Sequence, residues 1–241
     1  SPIYGGPIIG AIRDFITGAF ILTQDKTFLK EDEFTNLALL GGYSGPLPEP
    51  KHHENGRKIY TGKQLFSLFL PKDFNFVITS KWNKASKGEG KDVVIKNGEL
   101  MSGVIDKASI GAEEPDSVLH RIAKDYGNEA AKRFLDSILI VLKTYLTHNG
   151  FSYGYSDLWL SDETREEISS VILKAYEKVY ELKKQHDDET LPLTRGLSPS
   201  EALELYVVNE LSRARDRAGK TADRAFPDDN SGVIMASTGA R

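Results

Sequence analysis

The stretch DVVIKNGELMSGVID (92–106) decides how the fold is read. Asn97-Gly98 stands between two apolar runs, and Asn-Gly is the pair that most readily takes the two positive φ angles of a type I′ turn. A β-hairpin is therefore expected here, in a chain whose other segments read mainly as helices and loops. Upstream, residues 1–23 are rich in Gly and Ile with two Pro, and predict a turn leading into a short helix or strand. Asp32 to Leu40 and Gly62 to Leu70 predict short helices. GGYSGPLPEP (41–50) carries three Gly and three Pro and is a loop. The lysine-rich SKWNKASKGEGK (80–91) reads as a solvated, mobile loop.

Downstream of the hairpin the pattern turns helical. Pro115 to Tyr126 predicts one helix. Asn128 to His148 predicts a second, with Phe134, Ile138, Val141, Leu142 and Tyr145 on one stripe and Gly150 at its end. GFSYGYSDLWL (150–160) is a glycine-aromatic connector. A third helix starts near Asp162 with Ile168, Ile172, Ala175, Val179 and Leu182 as its inward stripe, and QHDDETLPLTRG (185–196) ends it. A fourth opens on Ser198-Pro199-Ser200-Glu201, a capping box with Pro at the first helical position, and can run to about Ala225. The last two helices read as a long antiparallel hairpin. A small sheet among short helices, followed by long helices, is an α+β arrangement. The division expected is a mixed α/β region over 1–155 and a helical hairpin over 156–241.

Composition narrows function. The 241 residues can bury a real core, and a net charge of −4 gives no global basic field to attract nucleic acid. There is no cysteine, hence no disulfide, no thiolate metal site and no cysteine nucleophile, which fits a reducing cytoplasm. No apolar run is long enough to span a membrane, and the N-terminus lacks the features of a signal peptide. Ser1-Pro2, without an initiator Met, reads as the inside of a longer chain.

Candidate chemistry is sparse. Thr61-Gly62-Lys63 resembles part of a phosphate-binding loop, but Gly56 lies one residue too far upstream and Gln64 stands where Ser or Thr would hold magnesium. Gly62 is better read as opening a helix. His52-His53-Glu54 has no partner at zinc-finger spacing. The acidic groups Asp187-Asp188-Glu189 and Asp228-Asp229 sit at helix ends among turn formers, where capping and solvation explain them. Ser152 and Ser156 lack a G-x-S-x-G setting. No catalytic or metal-binding set emerges. The charged feature of most interest is in NELSRARDRAGKTADR (209–224): Arg213, Arg217, Lys220 and Arg224 share one helix face, while Leu211, Ala214, Ala218, Ala222 and Ala225 share another.

Six segments together resemble the largest subunit of multisubunit DNA-directed RNA polymerases. PIIGAIRDFITGAFILT (7–23) is similar to its x-G-x-x-Q-D-x-x-x-G-x-x-x-L-T segment. YTGKQLFSLFLP (60–71) resembles its S-G-K-Q helix, and IKNGELMSGVIDKASIGA (95–112) its N-G-x-x-x-x-G-x-x-x-K-x-x-x-G hairpin. HNGFSYGYSDLWL (148–160) resembles N-G-F-S-x-G-x-x-D, RARDRAGKTADR (213–224) the A-R-D-x-A-G helix, and IMASTGAR (234–241) the start of S-G-A-[KR]-G-S. The six occur in the family's order and cover nearly the whole chain, with an archaeal A′ flavour.

The resemblance implies a fragment comprising the pore region (about 1–155) and most of the funnel (about 156–241), truncated before the bridge helix. Family members line a secondary channel used by entering nucleoside triphosphates, by the RNA 3′ end on backtracking and by transcript-cleavage factors. Implied partners are therefore the other polymerase subunits, a cleavage factor, nucleotides and RNA, with no membrane. The implied contact residues are Arg215, the arginine of A-R-D-x-A-G, near where amatoxins bind eukaryotic relatives, and Arg241, the basic residue of S-G-A-[KR]-G-S, near the incoming nucleotide. Lys178 falls where relatives carry lysines that meet the cleavage factor. Ser212 stands where the family often has Asn, three residues before the arginine, and offers a shorter hydrogen-bonding group. Arg215 lies off the Arg213/Arg217/Lys220/Arg224 stripe, so motif and periodicity point to different faces.

The family's catalytic N-A-D-F-D-G-D loop, which holds magnesium in the parent enzyme, occurs nowhere in this chain. The fragment is thus expected to be non-catalytic and free of cofactors. The alternatives are a free-standing nucleotide-hydrolysing enzyme, which would need a metal-binding carboxylate set or a phosphate-binding loop, and an independent RNA- or nucleotide-binding protein using the basic face of the last helix. The purified chain, supplied with magnesium, template and nucleoside triphosphates, should extend no primer; measurable incorporation would reject the non-catalytic reading.

Overall fold

The computed structural model describes residues 3, 5–54, 56–85, 92–192 and 196–241. The chain forms two compact units. One comprises residues up to Tyr153 together with Ile234–Arg241, and the other Gly154–Val233.

The first unit begins with α1 (Asp14–Thr23), β1 (Phe28–Lys30), α2 (Glu31–Leu40), β2 (His52–Glu54), β3 (Arg57–Thr61) and α3 (Gly62–Ser67). It continues with β4 (Phe76–Ile78), α4 (Lys81–Ala85), β5 (Val93–Lys96), β6 (Glu99–Ser102), α5 (Lys107–Ile110), α6 (Val118–Tyr126) and α7 (Asn128–Asn149). Two three-stranded antiparallel sheets result, in the orders β1-β3-β2 and β4-β5-β6. The α+β expectation holds. Asn97 and Gly98 both have positive φ, 49° and 75°, between β5 and β6, which is the expected I′-type hairpin. Gly98 is also required by space, because a Cβ there would lie 2.5 Å from the Pro71 carbonyl oxygen.

Capping fixes the helix starts. Thr61 accepts a hydrogen bond from the Gln64 N–H while Gln64 reaches back to the Thr61 N–H, so T-G-K-Q is a capping box rather than part of a phosphate loop. Ser117 caps α6, which therefore begins at Val118 rather than at Pro115; Asp116, with φ 53°, belongs to the preceding turn. The expected loop over 80–91 is corrected for Lys81–Ala85, which form α4; residues 86–91 lie outside the described residues. The core of this unit gathers α7's Phe134, Ile138, Val141, Leu142 and Tyr145, the predicted stripe, with Ile16, Leu22, Phe34, Leu37, Phe66 and the inward residues of the hairpin. Thr23 ties the hairpin to α1 inside this core: its hydroxyl donates to Ala19 O and accepts from the Ile105 N–H, at 2.7 and 2.8 Å.

The second unit is the helical hairpin. A 3-10 turn at Tyr155–Leu158 precedes α8 (Asp162–Asp187), and α9 (Pro199–Ala225) follows. Ser161 caps α8, and Ser198 with Glu201 forms the predicted capping box of α9. The hydrogen bonds from Ser198 hold the Glu201 carboxyl below its ordinary range. The two helices pack through small residues, with Ala175, Ala202 and Ala214 buried. The expected α8 stripe needs one correction. Ile172 is 42% exposed, and Val171 takes the inward place beside Ile168, Ala175, Val179 and Leu182. A last helix, α10 (Ser231–Thr238), which sequence pattern did not suggest, opens at the end of this unit, and Ile234 onward belongs to the first.

Two glycines test the packing in opposite directions. A Cβ on Gly62 would lie 1.9 Å from the Leu22 carbonyl oxygen, whereas Gly219, inside α9, meets nothing within 4 Å. Gly62→Ala should destabilise the first unit by about 3 kcal/mol or more. Gly219→Ala should stabilise the hairpin by roughly 0.5–1 kcal/mol. Urea unfolding of each variant, followed by residue-resolved NMR, checks both signs.

Candidate binding faces

Lys178, Ser212 and Arg215 stand on the hairpin, and Arg241 stands in the first unit. Lys178 lies on the exposed side of α8, its ammonium 2.8 Å from Glu181 one turn on. That hydrogen bond, with the charges of Glu181 and more distantly Glu210, holds the lysine above its ordinary pKa. Glu210 of α9 is in turn 3.8 Å from Arg213. Lys178, Glu210 and Arg213 are therefore neighbours across the two helices.

Arg215 is elsewhere on α9. Its side chain is 77% exposed, and its Nε and Nη2 donate to Asp216 Oδ1 at 3.0 and 2.9 Å. It points about 160° away from Arg213 and Arg217 around the helix axis. Ser212 is half-buried. Arg217, Lys220 and Arg224 are exposed and make no ion pair among the described residues. The structure thus keeps Arg215 apart from the basic stripe, as the helical wheel requires. Small residues stand beside it: Gly219 is one turn on, with open space around it.

Sequence pattern also passed over an apolar feature of α8. Leu173, Tyr176 and Tyr180 recur at i, i+3 and i+7 and are exposed, Tyr180 by 73%. The spacing is visible in the sequence, but it runs alongside the inward stripe of the same helix, and periodicity alone does not tell an exposed apolar row from a buried one. At the start of the same unit, the Arg165 guanidinium lies 4.1 Å from the Trp159 ring centroid, a cation–π contact that orders the entry to α8.

Arg241 follows the C-terminal cap of α10. Gly239 has φ 78°, its N–H is bonded to Ala236 O, and the Ala240 N–H is bonded to Met235 O at 3.0 Å. This is the Schellman arrangement. Arg241 also donates its N–H to Met235 O, at 3.1 Å, and its side chain is exposed. Nearby, Asp106 is fully buried and accepts from the backbone N–H groups of Trp82 and Ala108, at 3.0 and 2.9 Å, so one carboxylate holds the starts of both α4 and α5.

His52 and His53 project from β2 with no metal-binding set around them: no group of three or more His, Cys, Asp or Glu converges among the described residues. Lys63, the lysine of the rejected phosphate loop, is buried and paired with Asp25. No helix among the described residues is long and apolar enough to cross a membrane.

A capped helical hairpin and a mixed α+β unit, with exposed cations and no converging carboxylate set among the described residues, suit a segment of a larger assembly. Residues 1–158 match the family model described as RNA polymerase Rpb1, domain 3, and the chain belongs to that family. Similarity to archaeal subunits named DNA-directed RNA polymerase subunit Rpo1N extends over the whole chain. It is 43% identical to that of Methanocaldococcus jannaschii, 37% to that of Sulfolobus acidocaldarius and 34% to that of Thermococcus celer. All of this chain is covered in each case, against 18%, 28% and 29% of the relative. The chain, a part of an archaeal-type RNA polymerase largest subunit, spans less than a third of the length of these relatives.

Burial raises the Asp106 carboxyl above its ordinary 3.8, against the opposing pull of the backbone N–H groups of Trp82, Lys81 and Ala108 and the Lys81 charge. A raised carboxyl favours the folded state while protonated, and that contribution is lost as pH climbs from 3.8 through the raised value. Wild type should therefore lose stability relative to Asp106→Asn over that interval. Carbon-13 NMR titration of the Asp106 carboxyl should give a midpoint above 3.8; a midpoint at or below it would remove the argument.

Proposed function

We propose that this chain is the pore and funnel part of the largest subunit of an archaeal DNA-directed RNA polymerase, and that it lines a secondary channel without taking part in bond formation. Its parent assembly is then a nucleotidyltransferase whose magnesium is held outside this segment. Its partners are the other polymerase subunits, nucleoside triphosphates, the RNA 3′ end and a transcript-cleavage factor. The observation that carries the reading is the character of the hairpin cations. Lys178 and Arg215 are exposed, and among the described residues their ion pairs are with acids on their own helices, Glu181 and Asp216. Such pairs add little to stability and exchange readily for an incoming acidic or phosphate group.

A second reading is favoured by one observation. Arg217, Lys220 and Arg224 are exposed without an ion pair among the described residues, and they share a face. Such a stripe would bind RNA directly, with a steep dependence on salt.

Calorimetric titration of the chain with an archaeal transcript-cleavage factor tests the first reading. Saturable binding is expected, weakened about tenfold or more in the Arg215→Ala, Lys178→Ala variant. Unchanged binding in the variant would discard these two residues as the contact. The second reading predicts RNA binding that survives that variant but loses about 2 from its logarithmic salt slope when Arg217, Lys220 and Arg224 are all made Ala.

A further inference from the structure

The end of the chain carries a device that neither the family's motifs nor the channel reading assigns. Gly239 lies under two lysine side chains. A Cβ at Gly239 would be 3.0 and 3.1 Å from Cβ and Cδ of Lys107, and 3.1 Å from Cδ of Lys81. The two lysines come from different elements, α4 and α5, whose starts are both held by buried Asp106. Their ammonium groups converge on one carboxylate oxygen: Lys81 Nζ is 2.6 Å and Lys107 Nζ 3.7 Å from Glu114 Oε1. That carboxylate is the most enclosed of the three side chains, at 20% exposure. Beyond the glycine, Ala240 is buried in the main core and Arg241 emerges.

We infer that Glu114 is a positioning residue. By holding two cations that would otherwise repel each other, it keeps both lysine stems closed over Gly239 and so fixes where Arg241 leaves the fold. The glycine is needed twice over. Its φ of 78° suits the Schellman cap, and its missing side chain leaves room for the stems. The ion cluster works as a strap across the last helix cap. Without the carboxylate, two like charges a few ångströms apart separate toward water and their stems swing with them. The consequence for nucleotide handling rests on the reading that Arg241 meets the incoming nucleotide; the strap itself does not.

The test uses Glu114→Gln, which keeps the shape and removes the charge, beside Gly239→Ala. In the 241-residue chain, NMR-detected exchange of the Gly239 and Ala240 amides should speed up about tenfold in Glu114→Gln, while exchange in α7 and the melting temperature stay near wild type. High salt should loosen the same two amides in wild type and have little effect on the variant. The two substitutions together should do little more than either alone. Exchange at Gly239 and Ala240 that stays within about twofold of wild type in Glu114→Gln, or that speeds up equally throughout the chain, overturns the strap. In a reconstituted polymerase carrying the same substitution, the nucleotide KM should rise about fivefold with kcat little changed. A loosened segment with an unchanged KM would uphold the strap and remove the assignment of Arg241 to the nucleotide.

Discussion

The first unit depends on the apolar stripe of α7. Phe134, Ile138, Val141, Leu142 and Tyr145 are all buried, and α1, α2 and α6 pack around them. At roughly 1.5–3 kcal/mol for each buried side chain, the stripe contributes on the scale of a whole domain's net stability. It also dictates where glycine is needed. A Cβ on Gly18 of α1 would lie 3.3 Å from the Leu142 carbonyl oxygen, and one on Gly41, just after α2, 2.7 Å from Val141 Cγ2. The close approach of α1 and α2 to α7 is thus written into two residues with no side chain. The edge-to-face contact of Phe66 with Phe134 brings in α3. Through the Ser67 hydroxyl, which accepts from the Leu100 N–H at 2.9 Å, α3 then holds β6. The hairpin that decides the fold class therefore hangs, at one remove, on the long helix.

The second unit is stabilised by different means. Few side chains of α8 and α9 are buried, and the deeply buried ones are alanines. Close helix approach through small residues gives contact but little transferred area, so termini and charges matter more. Both helices begin at serine caps, and α9 adds Pro199 at its first turn. A hairpin held together along a narrow seam leaves most of its surface uncommitted. That freedom is what allows Lys178, Arg215 and the stripe from Arg213 to Arg224 to stay outward, and it leaves Leu173, Tyr176 and Tyr180 uncovered within this chain.

Much of this was legible because the deciding signals are local. Asn97-Gly98, the Ser198-Pro199-Ser200-Glu201 box and the α7 stripe each depend on residues within a few positions, and each appears in the structure. What was not legible depends on distant partners. Lys81–Ala85 reads as part of a solvated lysine-rich loop until Asp106, far along the chain, accepts the N–H groups that start α4. Ile172 and Val171 both fit an inward stripe within the tolerance of a 3.6-residue period, and only the partner helix selects Val171. The tail 234–241 shows no strong amphipathic pattern, because its buried residues are Ile234, Thr238 and Ala240, of which one alone is a large apolar side chain. At the candidate faces, the sequence already separated Arg215 from the basic stripe, since their angular offset is a property of the helix. It could not show that Arg215 and Lys178 are neutralised by neighbours on their own helices.

That local neutralisation distinguishes two kinds of cation on one hairpin. An arginine bonded to the adjacent aspartate, or a lysine bonded to a glutamate one turn away, contributes little to the long-range field, because the opposite charge travels with it. Such groups respond at short range, when an incoming carboxylate or phosphate displaces the local partner with comparable geometry. Arg217, Lys220 and Arg224 lack such partners among the described residues and act at long range, within the reach of a Debye length, where they attract anions without selecting among them. Two functions can therefore coexist on α9 without sharing residues. On the proposed reading, the stripe would raise the local concentration of phosphate-bearing molecules, and the motif arginine, turned to the other side with Gly219 one turn on, would make a contact that depends on fit. The motif and the periodicity point to different faces because Arg215 stands about 160° from Arg213 and Arg217 around the helix axis.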